Sequence, residues 1–258
     1  MGSSYRGGPI PWHLSDSMSK ALHRLQVKVA CQNLKIPETL ALSDVTVYNS
    51  QKPVDGGGFS DIFRGHWDSG SVCIKKLRVF MRTRNEQESR MMKMFCNEAL
   101  IWSHLHHPNV LQFLGFDMTS FHPYICMVSP WMENGNVLSY IRENPVSEVD
   151  TQRLVCEVSR GLEYIHGRNL VHGDIKGANV VVDASGRACL ADFGLAGFAQ
   201  ATQGAYTTET REGSKRWMAP ELLNWRIPLR RTQESDVYAL GCVCLEVSRS
   251  LGCVLHLL

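Results

Sequence analysis

The feature that most restricts this chain is the glycine triplet Gly56-Gly57-Gly58 and the residues that follow it. Glycine has no Cβ, so a run of glycines lets the backbone turn tightly and present its N–H groups to an anion. A dinucleotide-binding turn passes from its glycines straight into a helix. Here Ser60-Asp61-Ile62-Phe63-Arg64-Gly65 follows, a run that reads as a strand, so that architecture is set aside. Taken alone, Val54-Asp55-Gly56-Gly57-Gly58-Phe59 fits either a phosphate-binding loop or a plain hairpin turn.

Around the triplet the pattern is that of strands. Val45, Val47 and Tyr48 alternate with polar residues, and Ile62-Phe63 and Val72-Cys73-Ile74 flank the turn Asp68-Ser69-Gly70, which predicts an antiparallel meander. Residues 84–106 read as a helix that stops before Pro108, and short strands are expected near 110–116 and 124–129. Beyond Gly135 the texture turns helical. Leu154, Val155, Val158, Leu162 and Ile165 form one stripe over 150–167, and a further helix is expected over 235–248, with loops and short apolar pairs over 169–195 between them. Strands followed by helices predict an α+β fold of two lobes around a cleft. Residues 1–45 read as an extension, with a polar lead and a short helix over 16–34 capped by Ser15 or Asp16 and ended by Pro37; they are left as a surface for partner proteins. Residues 46–258 then form the domain, its first lobe running to about 131 and its second from about 132.

Composition narrows the function classes. The 258 residues carry 27 basic and 25 acidic side chains, a net charge of +2, which gives no reason to expect nucleic acid or an anionic membrane as partner. The nine cysteines are scattered and form no Cys-x-x-Cys pair, which suits free thiols in a reducing compartment, with a zinc site as the alternative. The apolar stretch over 237–247 is about half of a membrane span, and the N-terminus lacks the apolar core of a signal peptide. A soluble, cytoplasmic protein is expected.

Several polar clusters carry chemistry. Lys75 closes the strand Val72-Cys73-Ile74, and Glu98 lies on the apolar half of the helix that follows. Either is an ordinary surface charge unless they meet, in which case each relieves the cost of burying the other. In His172-Gly173-Asp174-Ile175-Lys176-Gly177-Ala178-Asn179, Asp174 could accept a proton, Lys176 could neutralise a phosphate and Asn179 could offer oxygen to a hard cation; a polar turn is the plainer reading. Asp192, in Ala191-Asp192-Phe193-Gly194, is a second oxygen ligand or a strand-ending turn. Trp217-Met218-Ala219-Pro220-Glu221 by itself is only a helix start.

The order of these clusters resembles the eukaryotic protein kinases, whose signature runs Gly-rich loop, strand lysine, helix glutamate, H-R-D-x-K-x-x-N, D-F-G and A-P-E. The likeness covers roughly residues 46–248. It implies the two-lobed kinase fold and an ATP- and Mg²⁺-dependent transfer of the γ-phosphoryl group to hydroxyls of a protein substrate. It implies that Val54, Asp55, Gly56, Gly57, Gly58, Phe59 and Ile62 cover the nucleotide, and that Lys75, fixed by Glu98, holds the α- and β-phosphates. Asp174 is then the base, Lys176 lies by the transferred phosphate, and Asn179 and Asp192 bind Mg²⁺. Lys176 is similar to the lysine of Ser/Thr-type members, and Arg216-Trp217-Met218-Ala219-Pro220-Glu221 resembles the tyrosine-kinase-like group. Ser129 would guard the back pocket. The adenine would use the carbonyl of Pro130 and the N–H of Met132, so the N–H that proline lacks is not needed.

The sequence also departs from the pattern. Asp55 and Ser60 stand where the first and third loop glycines are expected, which predicts weaker ATP affinity. Gly173 replaces the arginine that pairs with a phosphorylated activation segment, so activity is expected not to depend strictly on phosphorylation at Thr202, Tyr206, Thr207, Thr208 or Thr210. No arginine for Glu221 lies within 251–258, which reads as a second lobe cut short after the helix that anchors the catalytic loop. The alternative function is therefore a catalytically weak or inactive kinase-like scaffold.

Overall fold

The computed structural model describes residues 38–56, 60–80, 96, 98–144, 146–193, 197–198, 215–224 and 230–250. The helix expected over 16–34, the loop tip 57–59 and the hydroxyl-rich segment 202–214 lie outside them.

Strands β1 (Thr46–Val47), β2 (Asp55–Gly56), β3 (Ser60–Trp67), β4 (Gly70–Phe80), β5 (Gly115–Asp117) and β6 (Tyr124–Pro130) form one sheet in the order β1-β3-β4-β6-β5, with β2 paired to β3. Every pairing in it is antiparallel. The β3–β4 hairpin turns through Asp68 and Ser69, and Asp68 takes the left-handed φ of 53° that Asp tolerates better than most residues.

The register decides what faces the cleft. Ile62 lies opposite Lys75, Arg64 opposite Cys73, and Cys73 opposite Ser129, so these side chains share one face. Asp61 opposite Lys76 and Phe63 opposite Ile74 occupy the other face, where Val45, Phe63, Val72, Ile74, Cys126 and Val128 form a small core.

Two expectations for this region need correction. Described residues of the 84–106 helix are helical over 98–102 and turn at Ser103. There the Ser103 hydroxyl and the His104 ring both bond the Leu100 carbonyl, and the chain tightens into three-residue turns at His104 and Leu105. The strand expected over 110–116 is only Gly115–Asp117. Val110 and Leu111 are drawn away to Leu190, whose carbonyl accepts from Leu111 N–H at 2.8 Å while its own N–H donates to Asn109 at 3.0 Å.

After the sheet come α1 (Val137–Glu143), α2 (Glu148–His166), the paired strands β7 (Leu170–Val171) with β10 (Gly197–Phe198) and β8 (Val180–Val182) with β9 (Ala188–Leu190), then α3 (Pro220–Leu223) and α4 (Gln233–Ser250). Helix α2 starts where Ser147 and Asp150 cap each other reciprocally. It buries Leu154, Val158, Leu162 and Ile165, each of which contributes roughly 1.5–3 kcal/mol; Val155 of the expected stripe is only partly covered. A Cβ on Gly161 would lie 2.4 Å from the Asn109 carbonyl oxygen, so only glycine lets α2 come this close to the segment ahead of β5 that bonds Leu190 of β9.

Helix α4 is capped by Thr232 and Ser235, each accepting the other's backbone N–H. It buries Ala239, Val243 and Val247 and exposes Val237, Tyr238 and Leu245. No helix among the described residues is long and apolar enough to cross a membrane.

Candidate active site

The site forms where the cleft face of the sheet meets the loops that leave β7 and β9. Lys75 Nζ lies 2.7 Å from Glu98 Oε1 and 3.0 Å from Asp192 Oδ1. Three separate elements thus converge on one ammonium group: strand β4, the helical residues 98–102 and the turn after β9. Cleft burial works against the Lys75 charge, yet the carboxylates of Asp192 and Glu98 outweigh it and hold its pKa above that of an ordinary lysine. The Lys75 charge in turn holds the Asp192 carboxyl down at about 2 against its own desolvation. Burial pushes Glu98 upward, with Asp192 adding to that push and Lys75 opposing it. Asp192 reaches the cleft with a left-handed φ of 64°. Its neighbour Phe193 is fully buried between His172 and Trp102, with ring centroids 5.1 and 5.8 Å away, and Trp102 packs in turn on Phe113 at 5.3 Å.

The second cluster sits on the loop from β7 to β8. Lys176 Nζ lies 2.7 Å from Asp174 Oδ2. The Asn179 side-chain amide donates to the same oxygen at 2.9 Å and to the Asp174 carbonyl at 2.8 Å. Asn179 closes a 3₁₀ turn (Gly177–Asn179) that leads into β8, and its carbonyl accepts from Ala191 N–H at 2.9 Å, which places it beside Asp192. His172 donates from Nε2 to the Ala191 carbonyl at 3.1 Å while Nδ1 accepts from Asp174 N–H at 3.3 Å, a pattern that suits one neutral tautomer.

This loop is anchored from below by α4. Asp236, 2% exposed, accepts from the backbone N–H groups of His172 and Gly173 at 2.8 Å each and from the His166 ring at 3.0 Å. Glu246 Oε2 accepts from Gly177 N–H at 2.9 Å and from the Trp217 indole at 2.8 Å. Gly173 has φ +80°, a conformation that suits glycine and strains the arginine the resemblance expected there.

The structure therefore brings together Lys75, Glu98 and Asp192, and separately Asp174, Lys176 and Asn179, with the Asn179–Ala191 bond joining the groups. Val54, Asp55, Gly56 and Ile62 lie at the base of the β2–β3 hairpin, where Val54 N–H donates to the Ile62 carbonyl at 2.8 Å. Gly57, Gly58 and Phe59 lie outside the described residues. Pro130 ends β6 opposite Val72, between Ser129, which pairs with Cys73, and Trp131, whose N–H donates to Ser71 at 3.0 Å. In an antiparallel ladder such bonds alternate, so Pro130 stands where β4 asks for no N–H.

Oxygen donors fit a hard divalent cation. With its N–H₂ committed to Asp174, Asn179 turns its amide oxygen away from that carboxylate, and Asp192 supplies a carboxylate beside it. Among the described residues no cluster of His, Cys, Asp and Glu has the make-up of a closed metal site, and the described cysteines, Cys73, Cys96, Cys126, Cys156, Cys189, Cys242 and Cys244, are free thiols.

Sequence reasoning missed Glu246 and the ring contacts of Trp102. The signal for Glu246 was a single carboxylate set in the apolar run of α4, where burial demands a partner.

Residues 48–252 match the family described as protein tyrosine and serine/threonine kinase, and the chain belongs to that family. The family's general reaction uses ATP and Mg²⁺. Among curated relatives it is 30% identical over 203 residues to the serine/threonine/tyrosine-protein kinase HT1 of Arabidopsis thaliana, covering 76% of this chain and 48% of that protein. It is 29% identical over 261 residues to human serine/threonine-protein kinase A-Raf, covering 94% of this chain and 41% of that protein. A third relative, the probable serine/threonine-protein kinase drkB of Dictyostelium discoideum, is 32% identical over 194 residues, covering 74% of this chain and 26% of that protein. The chain thus spans less than half the length of these relatives.

Proposed function

We propose that this chain transfers the γ-phosphoryl group of ATP to serine or threonine hydroxyls of proteins. The observation that carries the reading is Lys75 held at 2.7 Å from Glu98 and 3.0 Å from Asp192, beside a loop in which Lys176 and Asn179 hold the Asp174 carboxylate. Lys75 neutralises the α- and β-phosphates, and Glu98 keeps its ammonium on the cleft side. Val54, Asp55, Gly56, Gly57, Gly58, Phe59 and Ile62 cover the nucleotide, while the Pro130 carbonyl and Met132 N–H receive the adenine. Asn179 and Asp192 would hold Mg²⁺, which would supply charge neutralisation on the phosphates. Asp174 accepts the proton of the substrate hydroxyl. Two donors on its Oδ2 fix the orientation of the carboxylate, so most of the catalytic gain comes from positioning.

Lys176 and the names of A-Raf and drkB favour Ser/Thr hydroxyls. A scaffold without turnover is not favoured, because Lys75, Glu98, Asp174, Asn179 and Asp192 are all present in the sequence and the relatives are named as kinases. The free thiols support a reducing, cytoplasmic setting, and residues 1–45 are assigned to partner proteins.

The test is transfer of radiolabel from γ-labelled ATP with Mg²⁺ to a generic basic protein. The wild-type chain labels serine and threonine, and Asp174→Asn lowers the rate at least about 100-fold. Equal labelling by the two proteins would overturn the assignment of Asp174.

A further inference from the structure

The β2–β3 hairpin has lost glycines at two of its expected positions, and the structure shows what else shapes its base. Asp61 stands opposite Gly56 on one side and Lys76 on the other. Its Oδ1 accepts from Arg78 Nη2 at 2.6 Å and Nε at 3.0 Å, and its Oδ2 lies 3.3 Å from Lys76 Nζ. The Arg78 guanidinium extends over the hairpin: a Cβ built on Gly56 would lie 3.2 Å from Nη2. One arginine on β4 is therefore in reach of both strands of the hairpin at its root. Lys76 is itself seated among the rings of Phe63, Phe121 and Tyr124, 5.1, 5.1 and 5.2 Å from their centroids, so the acid is shared between one fixed cation and one that reaches the hairpin. Arg78 holds the Asp61 carboxyl below the ordinary carboxylate range, against a smaller opposing effect of burial.

These charges sit on the face opposite the cleft, but their register is the cleft's register. Asp61↔Lys76 and Ile62↔Lys75 are adjacent rungs of one ladder. A slip of β3 by one residue along β4 would turn Ile62 off the face that Lys75 occupies, while β4 stays paired to β6. The pair is partly exposed, with 48% of the Arg78 side chain open to solvent, so it is too weak to matter to global stability. Where Arg78 lies over Gly56 it meets β2, a two-residue strand of the kind that opens locally long before the domain unfolds.

We propose that Arg78, acting through Asp61, is a positioning residue for the nucleotide. It holds the root of the β2–β3 hairpin in the register that presents Ile62 on the face of Lys75, and so sets ATP affinity rather than the rate of phosphoryl transfer. This rests on the proposed ATP-dependent function.

The experiment measures KM for ATP, kcat, affinity for a fluorescent ATP analogue with Mg²⁺, and Tm, in the full chain carrying Arg78→Met, Arg78→Lys, Asp61→Asn or Asp61→Asn with Arg78→Met. Arg78→Met raises KM and the analogue Kd about 3- to 5-fold at low salt, with kcat and Tm nearly unchanged. The difference shrinks in high salt, Arg78→Lys restores most of the affinity, and the double variant loses no more than the worse single one. A fall in kcat at constant KM, additive losses in the double variant, or unchanged affinity in Arg78→Met would each overturn the inference. If the wild-type chain bound no nucleotide, the functional reading itself would fall, a result distinct from all of these.

Discussion

The two halves of the candidate site are held by different physics. Around Lys75 the contacts run between charged side chains from three elements, with no shared backbone. Around Asp174 the loop is fixed largely by backbone N–H groups given to two carboxylates of one helix: His172 and Gly173 to Asp236, and Gly177 to Glu246. Charge contacts act over several ångströms and tolerate displacement, whereas backbone hydrogen bonds fail steeply with distance and angle. The Lys75 half thus tolerates small displacements, while the Asp174 half keeps one geometry.

Removing an anchor from each half gives the sharpest test of that contrast. Asp236→Ala leaves two backbone N–H groups and a histidine without their acceptor, and should cost about 3 kcal/mol or more in urea unfolding while abolishing phosphoryl transfer. Lys75→Met should lower kcat/KM at least about 100-fold in the labelling assay yet shift the urea midpoint far less than Asp236→Ala does, because the backbone around it stays paired. A comparable loss of stability in both variants would erase the distinction.

Subtler changes refine it. Gly173→Ala forces a side chain into φ +80° and should destabilise by about 1 kcal/mol, with the melting temperature as readout. Phosphatase treatment should leave activity within about 3-fold, since glycine, not arginine, stands immediately before Asp174. On the charged side, the Asp192 carboxyl is held near 2, below its unfolded value, so its contribution to stability is complete above about pH 4 and lost as pH falls toward 2. Wild type and Lys75→Met should accordingly converge in acid unfolding over that interval. The smallest effect is expected on the outer face of α4, where Leu245→Gln should change stability by less than about 0.5 kcal/mol, while Val247→Ala on the buried face should cost at least about 1 kcal/mol.

Much of this was legible in the sequence because the chemistry imposes residue types in a fixed order. The Lys75–Glu98 pair was one of two readings of a lysine after an apolar strand run and a glutamate among apolar helix residues, although the strand runs on to Phe80, and α2 was read from its stripe. What the sequence hid were contacts between segments that no local pattern links. Residues 110–111 look like a strand of the large sheet, but their hydrogen bonds go to Leu190. The helix leading to Glu98 reads as if it reached residue 106, yet side-chain bonds to Leu100 end it earlier. Asp61 and Arg78 look like surface charges, and only the register reveals that they meet at the hairpin root.

One oxygen of Glu246 serves two donors, the Gly177 amide and the Trp217 indole, which come from segments far apart in the chain. Two bonds that share an acceptor draw on the same electron density, so strengthening one slackens the other. A tug on the stretch ahead of Pro220 is felt as a change of tension at the amide next to Lys176. The protein has in this carboxylate the pivot of a small lever, with the turn ahead of Pro220 at one arm and the loop that carries Lys176 at the other.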